Sequence, residues 1–168
     1  HEYILWNGLL KRVYDGKRES YDKVKVCKRW LNFQNFAAWC ETQPFFNAKD
    51  DKGRSYQLDK DILSPKDNKV YSPDTCSFVP QEINKLVIQR DKSRGNYPVG
   101  VFYSKKDNRY IAQYSVGKST VRYIGSFMTP EEAFQAYKQA KELFILEKAE
   151  EWRGRIENRV YLALLDYN

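Results

Sequence analysis

Two groups of residues in this chain have the types and spacing to do chemistry. The first is Asp59, Asp61 and Asn84. Asp59 and Asp61 lie two apart in the run Tyr56-Gln57-Leu58-Asp59-Lys60-Asp61-Ile62-Leu63, so they share one face of a strand unless the strand ends between them. Asn84 falls one turn into a helix that Pro80 can open. A strand carboxylate facing a helix amide makes an oxygen-ligand site for a hard divalent ion such as Mg²⁺. An ion held there could polarise a phosphodiester and stabilise its leaving oxygen. Acids near strand ends are usually just solvated, so this pattern alone is a weak signal. The second group is cationic. Between residues 91 and 127, Lys92, Arg94, Lys105, Lys106, Arg109, Lys118 and Arg122 stand against only Asp91 and Asp107, and from Thr129 onward the balance turns slightly acidic. Positive charge concentrated in one segment points to a polyanionic partner.

The elements around the cationic group are legible. Tyr97–Tyr103, Arg109–Ser115 and Val121–Phe127 are runs of aromatic and β-branched residues, separated by Lys105-Lys106-Asp107-Asn108 and Gly117-Lys118-Ser119. That is the pattern of three short strands joined by turns. Thr129-Pro130-Glu131-Glu132 then opens a helix, with a hydroxyl N-cap, proline at the first helical position and acids in the first turn. Alternation on the middle strand separates Tyr110, Ala112 and Tyr114 from Arg109, Ile111, Gln113 and Ser115. Ala112 is small enough to admit the helix face made by Ala133, Ala136, Tyr137 and Ala140, so its side is expected inward. Arg109, Gln113 and Ser115 then face outward, with arginine suited to guanine edges and glutamine to adenine. Serine and the flanking lysines suit phosphates.

Upstream, Tyr3, Trp6, Leu9, Leu10 and Val13 recur at helical spacing, and Asn32 can cap a second helix bearing Phe33, Phe36, Ala37 and Cys40. Val24 and Val26 alternate with lysines as in a half-buried strand. Trp6, Trp30, Phe33, Phe36 and Trp39 are expected in a core and not as base-stacking platforms. Residues 56–63, a turn-rich stretch, Cys76–Val79 and the helix from Pro80 give the order strand, loop, strand, helix. Residues 91–96 are polar and glycine-containing, which puts a domain boundary near residue 90. The tail from Glu131 to Leu165 reads as helix, broken or bent at Gly154. The fold class expected is therefore α+β. A ββα unit with N-terminal helices occupies 1–90, and a three-stranded antiparallel sheet packed on a helix, with a helical tail, occupies 91–168.

Composition narrows the function classes. Of the 168 residues 42% are hydrophobic and 30% charged, with a formal charge of +7, so the chain can bury a core. No apolar run approaches the ~18 residues that a membrane span needs, and no secretory leader is evident. A soluble, cytoplasmic protein without a membrane partner is expected. Cys27, Cys40 and Cys76 lack paired spacing and there is one histidine, His1, which argues against a zinc site and for small buried thiols.

The segments Leu5–Tyr14, Val26–Phe33, Gln57–Leu63 and Tyr71–Val79 resemble successive blocks of phage-type HNH homing endonucleases. That resemblance implies a strand–loop–strand–helix metal nuclease that cleaves DNA inside a host cell. By position, Asp59 matches the family's metal aspartate and Asn84 its helix asparagine. Lys60 stands where the general-base histidine would be, and Thr75 where a loop asparagine commonly falls. Lysine ordinarily titrates near ~10.4 and is a poor base at neutral pH. The implied catalytic set is then Asp59, Lys60 and Asp61, with Lys60 as electrostatic stabiliser, and the implied cofactor is Mg²⁺ or Mn²⁺ on Asp59 and Asn84. The other reading is a relic that binds DNA without cutting it.

The second half resembles the plant-type Apetala/ethylene-response-factor DNA-binding domain. The resemblance rests on Gly100-Val101, Tyr110 with Ala112, Ile124-Gly125-Ser126-Phe127, and Thr129-Pro130-Glu131-Glu132-Ala133 leading to Ala136-Tyr137. It implies a sheet laid into the major groove of double-stranded DNA, without a small-molecule cofactor. The DNA-contacting set is Lys105, Lys106, Arg109, Gln113, Ser115, Lys118, Arg122 and Tyr123. Phe102 and Ser104 stand where plant members often carry arginines, so a plant-like base preference is not expected.

Overall fold

The structure, a computed structural model, describes residues 1–17, 19–65, 67–87, 96–117 and 120–167. Residues 91–95 of the linker expected at 91–96, and the expected phosphate contact Lys118, lie outside the described residues. The chain is α+β, and it divides into two compact units. One is His1–Val87 together with Trp152–Leu164; the other is built around residues 88–151.

In the first unit, helices α1 (Glu2–Tyr14) and α2 (Phe33–Thr42) follow the sequence pattern. The Asn32 side chain caps α2, accepting from the backbone N–H of Gln34 at 2.9 Å and of Asn35 at 3.3 Å. Trp6 Nε1 donates to the Trp30 carbonyl at 2.7 Å and ties α1 to the segment before α2. Of the aromatics expected in a core, Trp30, Phe36 and Trp39 are buried, while Trp6 and Phe33 are half-buried against each other. Trp30 and Phe36 are fully buried with their rings edge to face at 5.0 Å, Trp30 lies 4.5 Å from Trp39, and Trp39 stacks on Phe78. Strand β1 (Lys25–Val26) pairs in parallel with β3 (Val70–Tyr71). Strand β2 (Gln57–Asp59) pairs antiparallel with β4 (Ser77–Val79), and helix α3 (Gln81–Leu86) follows.

The C-terminal tail is helix broken at Gly154, as its sequence suggests: α4 (Pro130–Glu151) stops, Gly154 takes a left-handed φ of +75°, and α5 (Asn158–Leu165) restarts. It departs from expectation in its grouping, because Trp152–Leu164 does not belong with the residues before it but completes the first unit. Trp152, Ile156, Val160 and Leu164 are buried. Tyr56 donates its hydroxyl to the Arg155 carbonyl, and Trp152 meets the Tyr56 ring edge to face. Arg159 reaches the carbonyls of Pro73, Asp74 and Cys76 and pairs with Glu157, whose other oxygen accepts from Ser77 at 2.6 Å.

The second unit is a three-stranded antiparallel sheet in the order β5 (Val101–Ser104), β6 (Arg109–Gly117), β7 (Thr120–Phe127), packed against α4. Val101, Ala112 and Ala133 form its buried centre, with Tyr97, Tyr110, Ile124, Phe127, Phe134 and Tyr137 around them. Thr129 and Glu132 make a reciprocal capping box at the start of α4. Gly100 has φ +77°, and a Cβ there would sit 2.0 Å from the ring of Tyr137. Glycine at that position therefore answers both a backbone and a packing demand.

Candidate functional site

The sheet carries one candidate surface. Strand register fixes which side chains share a face, since residues directly opposite point the same way. Ala112 lies opposite Val101 and Gly125, and Tyr110 opposite Tyr103 and Phe127; this is the side against α4. The other side carries Ser104 opposite Arg109, Ile111 between Phe102 and Ser126, Gln113 opposite Tyr123, and Ser115 opposite Val121. Arg109, Ser115 and Tyr123 are exposed and Gln113 is half-exposed. Lys105 and Lys106 are exposed on the turn joining β5 to β6, where Ser104 donates to Asp107 at 2.7 Å and Tyr103 to Asn108. The face assignment made from alternation on β6 is thus the one observed.

Arg122 is placed differently from its companions. A bulge between Ala112 and Gln113 shifts the register on β7, so that Tyr123 meets Gln113 and Arg122 meets Tyr114. Arg122 therefore lies on the α4 side, donating to the Tyr114 hydroxyl at 3.1 Å across the ring. Lys141 of α4 stands 6.0 Å from the centroid of the same ring, and burial pulls its ammonium below the usual lysine range. Phe102, which stands where plant-type members often carry arginine, and Val121, which sequence reading passed over, are large apolar side chains on the open face, 42% and 51% exposed. Alternation on β5 and β7 was the signal for them, once register to β6 is known.

The acidic group sits at the end of β2. The strand stops at Asp59, so Asp59 and Asp61 do not share a strand face. Asp59 is 4% exposed, and its Oδ2 accepts from the backbone N–H of Asp61 at 2.8 Å and of Ile62 at 2.9 Å, closing the turn that ends the strand. Burial outweighs these bonds and pushes its carboxyl up to about 6, with the neighbouring Asp61 charge adding to the rise. Lys60 is equally buried. Its Nζ bonds both carboxylate oxygens of Asp61 at 2.9 Å and stands 5.1 Å and 5.4 Å from the ring centroids of Tyr21 and Tyr71. Lys69, which sequence reading passed over, donates to the Asp61 carbonyl at 3.0 Å and approaches its carboxylate at 3.4 Å. Two lysines thus neutralise Asp61.

Asn84 is engaged elsewhere on the same unit: its amide nitrogen donates to Gln57 Oε1 at 2.8 Å. Gln57 is two residues before Asp59 on β2, so α3 presents Asn84 to the strand one step short of the carboxylate. Among the described residues no group of three or more His, Cys, Asp or Glu is disposed to hold a metal ion. The turn engages Asp59 Oδ2 and Gln57 engages the Asn84 amide nitrogen, whereas a divalent ion would take the carboxylate and amide oxygens. Thr75 donates to the Val70 carbonyl at 2.5 Å and bonds Ser72 at 2.8 Å, so it fastens the loop between β3 and β4. Burial raises the Cys76 thiol, and raises that of Cys40 to about 12, in keeping with inert packed cysteines. Among the described residues no helix is long and apolar enough to cross a membrane. No family model matches this chain, and no curated protein or solved structure does either.

Proposed function

We propose that this chain binds double-stranded DNA through the open face of β5–β7. The observation that carries the reading is the layout of that face. Arg109, Gln113 and Ser115 project from alternate positions of β6 on the side away from α4, beside Tyr123, with Lys105 and Lys106 on the adjoining turn. Arginine and glutamine can each make paired bonds to a base edge, and a two- or three-stranded sheet can enter the major groove. The lysines supply phosphate contacts, with affinity that falls as salt displaces the benefit of counterion release. Fluorescence anisotropy with a random-sequence duplex between 50 and 200 mM salt tests this. Arg109→Ala should weaken binding, and Lys105→Ala should lower the salt slope by about one. Affinity indifferent to both substitutions would refute the interface.

A second reading, phosphodiester cleavage by a metal-dependent HNH-type endonuclease, is favoured by one feature: a buried aspartate with an elevated pKa at the end of the strand in a ββα unit. Perturbed carboxylates of this kind are enriched at catalytic sites. It requires the Asn84 amide oxygen and the Asp59 carboxylate to face a common ion. Plasmid nicking with Mg²⁺ or Mn²⁺ tests it; equal activity in wild type and Asp59→Asn would remove the site.

A further inference from the structure

The open face of the sheet is less cationic and more apolar than a surface built only to hold phosphate. Arg109 is the one formal charge that register places on it among the described strand residues, and it lies at the end next to the β5–β6 turn. Further along β6, Gln113 has Tyr123 directly opposite, and Val121 is opposite the next outward residue, Ser115. Phe102, Gln113, Ser115 and Val121 line one shallow hollow. Phe102, Val121 and Tyr123 are 42%, 51% and 60% exposed. Such side chains are usually covered when a sheet face finds its partner, and the cations at the rim specify a polyanion as that partner.

We infer that this face selects A·T base pairs in the major groove, with Gln113 pairing to adenine while Val121 and Phe102 seat thymine methyl groups. The inference rests on the DNA-binding reading above. The chemistry follows from what each base pair offers. The thymine C5-methyl is the one apolar group on the major-groove edges, and adenine offers the acceptor and donor that an amide side chain matches in a bidentate pair. A cytosine in the same place carries only hydrogen at C5, so Val121 or Phe102 loses its methyl contact, and it presents an amino donor where thymine presents a carbonyl acceptor. Arg109 lies four residues from Gln113, a span of about 13 Å along an antiparallel strand. The guanine suited to Arg109 therefore falls at one end of the site, apart from the A·T pairs.

The test uses the whole protein with three duplexes of equal length at one salt concentration: one rich in A·T, one rich in G·C, and the A·T duplex with every thymine replaced by uracil. The A·T duplex should bind most tightly. Loss of each seated methyl should weaken binding about fourfold, the worth of one buried methyl-sized group. Replacing thymine by uracil leaves the protein unaltered, so misfolding cannot explain the result. Val121→Ala and Phe102→Ala should each shrink the difference between thymine and uracil. Equal affinity for all three duplexes would overturn the base preference while leaving DNA binding intact. A thymine–uracil difference undiminished in both variants would overturn the assignment to these side chains, and failure to bind any duplex would overturn the DNA reading and this inference together.

Discussion

Replacing Asp59 with asparagine should stabilise the protein at neutral pH, although this residue is the centre of the candidate acidic site. In the folded chain the Asp59 carboxyl is raised from 3.8 to about 6, chiefly by burial. An acid whose folded pKa lies above its unfolded value binds its proton more tightly when folded, so stability falls as pH rises through that interval and stays low above it. The rise corresponds to about 3 kcal/mol at pH 7, at ~1.4 kcal/mol per pKa unit. Asparagine keeps an oxygen to accept from Asp61 and Ile62 and does not carry the buried charge. Urea unfolding at intervals from pH 4 to 7.5 measures the effect. Wild type should lose stability across this range, whereas Asp59→Asn should lack that component and exceed wild type by up to ~3 kcal/mol at pH 7. An asparagine variant that is less stable at pH 7, with the same pH slope as wild type, would refute the view that desolvation governs this carboxylate.

Gly100→Ala should destabilise the sheet unit by more than the ~1–2 kcal/mol of a left-handed non-glycine residue, since the added Cβ also strikes Tyr137; its thermal unfolding should be compared with that of Gly53→Ala, where φ is +71° and nothing stands within 4 Å. Arg159→Met should cost about 2–4 kcal/mol by stranding the carbonyls of Pro73, Asp74 and Cys76, and hydrogen exchange should quicken first in the loop between β3 and β4. Truncation after Glu151 should leave residues 1–87 without a stable fold, because it removes five buried side chains, Trp152, Ile156, Val160, Tyr161 and Leu164; native-like near-ultraviolet dichroism from the truncated chain's tryptophans would contradict this.

Local signals and non-local ones were not equally legible. The Asn32 and Thr129 caps, the aromatic stripe of α2 and the outward set on β6 are written in short stretches of sequence, and each appears where its pattern requires. The β7 register was not readable this way: the extra residue Ile124 at the bulge sets Tyr123 outward opposite Gln113 and Arg122 on the α4 side, whereas an unbroken ladder would exchange the two. The end of β2 depended on a competition that propensity does not decide. Asp59 could have continued the strand, but its side chain instead accepts the two backbone N–H groups that follow. Asn84 shows the same limit from a longer range: the helix was foreseeable, while its side-chain partner Gln57, 27 residues earlier on β2, was not.

The tail carries the largest difference from the sequence reading, and it changes what the candidate acidic site depends on. A boundary near residue 90 suggests two domains in series, but Trp152–Leu164 packs with residues 1–87, so the sheet and α4 interrupt the first unit instead of following it. Through Arg159, Glu157 and Ser77, the returning segment braces the loop that leads into β4. Strand β4 in turn holds β2, with Ser77 directly opposite Asp59. A carboxylate buried at a thermodynamic cost must be kept in place by surrounding structure, and here part of that structure arrives from residues almost a hundred positions further along the chain. The charges at Asp59, Lys60 and Asp61 are therefore tied to the integrity of the tail, and substitutions at Arg159 or Glu157 should be felt at the end of β2 without touching it.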